Sequence, residues 1–67
     1  MVIVQKIELN PIDKTATVSL FADAKADVTD DMEITGFPEG YTIAPGSSVM
    51  TASAELAFRK SDGTWNW

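Results

Sequence analysis

Carboxylates are the commonest reactive groups in this sequence. Ten Asp and Glu stand against five Lys and Arg, giving a net charge of −5, and histidine and cysteine are absent. The acids concentrate in the stretch ADAKADVTDDME, which holds Asp23, Asp27, Asp30, Asp31 and Glu33. Oxygen ligands of this kind suit a hard cation such as calcium. The spacing does not match an Asp-rich calcium loop that closes on a bidentate Glu, and the glycine such a loop needs is missing. A solvated acidic loop is the expectation, with a contact for a basic protein surface as the second reading. Without thiolates or imidazoles, soft-metal sites are excluded, and no metal or cofactor is expected.

Nucleophilic chemistry fares no better. Ser47, Ser48, Ser53 and Ser61 have no histidine to take a proton, and their spacing does not define a Ser–Lys pair. Gly36, Gly40 and Gly46 do not form a phosphate-cradling loop that opens a helix. General acid–base work needs a titrating group held beside a substrate, and no pair of carboxylates sits in a helical register that would hold one there. The chain is therefore not expected to be an enzyme.

The elements that would position any site are strands. Val2 to Leu9 is rich in β-branched residues, and strict alternation puts Ile3, Ile7 and Leu9 on one face with Val2, Val4, Lys6 and Glu8 on the other. Asn10-Pro11-Ile12-Asp13-Lys14 supplies turn chemistry. Thr15 to Phe21 alternates again with Ala16, Val18 and Leu20 in phase, so the first 21 residues read as a hairpin. Alanines at 22, 24 and 26 leave room for one short helical turn within 22–31. Met32 and Ile34 start a short extended segment. Gly36, Pro38, Gly40, Pro45 and Gly46 exclude helix from 35–48. Tyr41 and Ile43 share one side of a short extended piece, and Pro45-Gly46 suits the centre of a type II turn.

Ser47 to Thr51 reads as a strand, 52–54 as a bend and Glu55 to Lys60 as a second strand. Asp62-Gly63 then reads as a two-residue type I′ loop. That register pairs Ser61 with Thr64, Lys60 with Trp65 and Phe58 with Trp67, and it gathers Leu56, Phe58, Lys60, Trp65 and Trp67 on one face. The predicted fold class is all-β: a small antiparallel sheet or barrel-like meander of two hairpins joined by an acidic loop, in one domain over 1–67.

With 67 residues the chain buries a smaller share of its surface than larger domains do. Such scaffolds add disulfides, a metal or oligomerisation, and only the last is open to this composition. Aromatic residues are favoured at protein interfaces, and an apolar side chain at a fraying terminus is best used where a surface buries it. Phe58, Trp65, Trp67, Leu56 and Tyr41 are the candidate interface residues. The expected partner is a second or third copy, as a dimer or trimer, or another protein of the same assembly. An acidic chain whose only adjacent cations are Arg59 and Lys60 lacks a footprint for nucleic acid or an anionic membrane. The opening residues are too short and too charged for a signal peptide or a membrane span.

The run Tyr41-Thr42-Ile43-Ala44-Pro45-Gly46-Ser47-Ser48-Val49-Met50-Thr51, then Glu55-Leu56-Ala57-Phe58 and Ser61-Asp62-Gly63-Thr64-Trp65, resembles small structural proteins of tailed bacteriophages and prophages, including head-fibre-like and capsid-associated pieces. The resemblance covers mainly residues 36–67 and carries over fold-forming positions, with no functional residues. It implies a virion structural or accessory role, an oligomer, and residence in the host cytoplasm during assembly and then in the particle. A different class of function also fits the composition: a small acidic inhibitor seated on a basic site of a host protein. A small-ligand barrel would need an aromatic-lined interior for which so short a chain leaves little room.

Overall fold

The computed structural model describes residues 1–29 and 32–67. Among these, seven strands form one open mixed sheet: β1 (Val2–Asn10), β2 (Thr15–Ala22), β3 (Ile34–Thr35), β4 (Thr42–Ile43), β5 (Ser48–Thr51), β6 (Leu56–Arg59) and β7 (Trp65–Asn66), with a 3-10 turn at Lys25–Asp27. The strand order is β3-β1-β2-β5-β6-β7, and β4 also lies beside β2. The all-β class holds, and the helical turn falls inside the stretch expected for it. Two details are corrected. The sheet does not close into a barrel, and it is mixed: β1–β3, β2–β4 and β2–β5 are parallel. A parallel pair needs a long crossover, and the segment from 23 to 47 supplies it, so the N-terminal and C-terminal hairpins meet side by side rather than end to end.

The β1–β2 hairpin departs from simple alternation at Gln5. Val4 faces Leu20 but Lys6 faces Ser19, so Gln5 is the extra residue of a β-bulge, which reverses the side-chain phase. Val2 and Val4 before the bulge therefore share a side with Ile7 and Leu9 after it, opposite Ala22, Leu20, Val18 and Ala16. The expected grouping of Ile3 with Ile7 and Leu9 is overturned, and Ile3 turns to the other side, beside Phe21.

One side of the sheet carries the core: Val2, Ala16, Val18, Leu20, Ala22, Val49 and Ala57 are buried. Val28, Met32, Ile34, Phe37, Tyr41 and Ile43, from the crossover, pack on it. Among the described residues, nothing comparable covers the opposite side.

Ser47 joins the two halves. Beside β2 the chain runs as β4, breaks outward at Pro45-Gly46 and resumes as β5. The turn closes through Ser47 N–H donating to Ala44 O at 3.2 Å, and Gly46 takes φ +89°, the conformation that a type II turn reserves for glycine. The break would leave the Val18 N–H without a strand partner. It donates instead to Ser47 Oγ at 3.0 Å, and the hydroxyl donates to Ala16 O at 3.5 Å. Arg59 N–H donates to Ser47 O at 2.8 Å, which ties the same residue to β6.

Candidate functional site

The groups with chemical potential are spread apart. Ser47 is buried and its hydroxyl is committed to the β2 backbone. Asp23 and Asp27 turn to the Met1 ammonium, at 3.3 and 2.8 Å; its hydrogen bond holds the Asp27 carboxyl below the ordinary range. Glu33 is exposed. Asp30 and Asp31 lie outside the described residues. Among the described residues, no three His, Cys, Asp or Glu side chains converge to hold a metal ion, and no helix is long and apolar enough to cross a membrane. An open cleft of about 420 Å³ runs between Phe37, Pro38, Glu39, Tyr41 and Arg59.

The C-terminal hairpin forms, but its register differs from the expected one. Arg59 faces Trp65 and Phe58 faces Asn66, while Lys60 N–H donates to Thr64 O at 2.8 Å and Gly63 N–H to Lys60 O at 3.1 Å. The loop therefore has three residues, Ser61-Asp62-Gly63, with Gly63 at φ +87°. This is the three-residue hairpin whose last position is left-handed. A one-residue slip moves every side chain to the other face, so the five residues expected together are divided.

Leu56 and Phe58 project from the uncovered side. Trp65 lies on the core side, packed against the core, with the Arg59 guanidinium 5.3 Å from its ring centre. Tyr41 belongs to the covering layer, beneath the Lys14 ammonium at 5.5 Å. Trp67 meets the Lys25 ammonium at 5.1 Å. The hairpin aromatics thus serve two different surfaces.

On the uncovered side, pairing across four strands aligns Ile3, Phe21, Met50 and Leu56 in one file. The neighbouring file is Lys6, Ser19, Ser48, Phe58 and Asn66. Met50, Leu56 and Phe58 are 44%, 47% and 50% exposed, too much for a finished core and too contiguous for scattered surface residues. Of these, Leu56 and Phe58 were singled out by the sequence; Ile3, Phe21 and Met50 were not. The available signal was phase, since Phe21 is out of step with Ala16, Val18 and Leu20, and Met50 with Val49 and Thr51.

Comparison with known proteins finds no family model, no curated protein and no solved structure that matches this chain.

Proposed function

We propose that this chain is a structural or interaction module of a tailed-bacteriophage or prophage particle, working by assembly and performing no catalysis. The observation that carries the reading is the uncovered apolar file of Ile3, Phe21, Met50 and Leu56 with Phe58 beside it. A sheet with apolar residues on both faces is built as an inner layer, and here one of the two outer layers must come from elsewhere. The resemblance of residues 36–67 to phage structural proteins supports the virion setting.

The rival reading is a small acidic inhibitor that occupies a basic site on a host protein. It would use the acidic crossover, where Asp23, Asp27, Glu33 and Glu39 stand. The experiment is to tag the chain in its native genome, induce particle production and purify the particles on a density gradient. Co-sedimentation in fixed proportion to the major capsid protein is expected. Recovery solely in the non-particle fraction, bound to a host protein, overturns the assembly reading.

A further inference from the structure

Resting on the assembly reading, we infer that the uncovered face docks a second copy of this chain, face to face about a two-fold axis, with Ile3, Phe21, Met50, Leu56 and Phe58 at the centre of the contact. Three features of the face select that occupant.

Charge comes first. The molecule carries −5 overall, and two such chains repel unless they meet where that charge is not. Among the described residues, the strands place two charges on the uncovered side, Lys6 and Glu8, of opposite sign. At its rim Lys60 stands 3.9 Å from Asp62. Asp23 and Asp27 are held at the end of the sheet by the Met1 ammonium, at 3.3 and 2.8 Å. Glu33, next to the core-packed Ile34, flanks the face at its β3 edge, and Glu55 is turned to Thr51 on the core side. The centre of the face, where Ile3, Phe21, Ser19, Ser48, Met50, Leu56 and Phe58 stand, carries no charge on an acidic protein. A basic partner would find no carboxylate to pair with at that centre, whereas a copy of the same chain meets no repulsion there. Lys6 and Glu8 are two residues apart on one edge of the face, so a two-fold axis can set each opposite its counterpart in the other copy, as a self-complementary contact requires.

Relief comes second. The file Phe21, Met50 and Leu56 makes a ridge, and the adjoining pair Ser19 and Ser48 makes a dip beside it. Apolar residues of two facing sheets interdigitate at about 10 Å separation, and a two-fold rotation lays the ridge of each copy along the dip of the other.

Size comes third. A molecule of 35 × 22 × 19 Å presents at most roughly 800 Å² on one side, which is about what a standard interface takes from each partner. A second copy matches that area from edge to edge.

The test is sedimentation of the wild-type chain beside Met50→Lys, Phe58→Lys and Trp67→Ala, each checked for retained strand circular dichroism and a cooperative melt. Both lysine variants change exposed side chains, so either one can stand in if the other fails to fold. The wild type and Trp67→Ala are expected as dimers and the two lysine variants as folded monomers. A further check is charge exchange: Lys6→Glu should weaken the dimer, and Lys6→Glu combined with Glu8→Lys should restore it. Lysine variants that keep the dimer mass overturn this face, and a wild type that stays monomeric overturns the second copy as occupant. Neither result touches the particle assignment, which is read from purified particles and fails only if the chain is missing from them.

Discussion

Ser47 shows how a residue suggestive of chemistry can be wholly structural. Its hydroxyl replaces a missing strand carbonyl for the Val18 N–H, across 29 residues of sequence. Removing it leaves a buried donor unpaired, which costs about 1–3 kcal/mol. Ser47→Ala is therefore expected to lower stability by about that amount in urea unfolding, with Ser48→Ala near neutral; equal effects would contradict the role. Asp62 is a second residue with one assignable task. Its carboxylate accepts from Thr64 Oγ at 2.6 Å and from the Thr64 N–H at 3.0 Å, and these bonds hold its pKa below the ordinary 3.8. A depressed carboxyl contributes stability above the ordinary value and loses it as pH falls through the folded one. The stability difference between wild type and Asp62→Ala is expected to be constant at neutral pH and to shrink progressively below pH 3.8. A difference that grows on acidification would reverse the sign. Asp62 was legible as a turn residue because its bonds are local, whereas the task of Ser47 depends on a strand far along the chain.

Among the elements, the two C-terminal loops are built alike. In the first, Thr51 N–H donates to Glu55 O at 2.9 Å and Ala54 N–H to Thr51 O at 3.0 Å, matching the bonds that close Ser61-Asp62-Gly63. The left-handed position is Gly63 in one loop and Ala54, at φ 64°, in the other. A side chain there costs about 1–2 kcal/mol, partly offset because glycine gives the unfolded chain more freedom. Ala54→Gly is expected to stabilise the protein by about 0.5–1 kcal/mol, read from the urea midpoint, and Gly63→Ala to destabilise it. A destabilised Ala54→Gly would contradict the loop geometry. Strand positions and breakers were readable from alternation and from Pro and Gly. Register was not: Asp62-Gly63 suits a two-residue loop as well as the last two places of a three-residue one. The bulge at Gln5 has no residue signature, yet it decides whether Val2 and Val4 or Ile3 share a side with Ile7 and Leu9.

At the scale of the whole molecule, the fold is half of a sandwich. The crossover between the hairpins packs on one side of the sheet, and the other side keeps an apolar surface with an uncharged centre on an acidic protein. The all-β class followed from local pattern, because each strand carries its own alternation. The face that remains open did not, since it is fixed by the parallel pairing of β2 with β5, which brings Phe21 beside Met50 and has no local signal. For the same reason the candidate interface residues divide between the two sides: Leu56 and Phe58 stand on the uncovered face, while Trp65 and Tyr41 belong to the covered one. The central claim is that this face is buried against another copy. Light scattering of the wild-type chain across a dilution series tests it most directly. The mass is expected to rise with concentration from 7.3 kDa to a plateau at twice that value; a constant 7.3 kDa up to the highest concentration would contradict it.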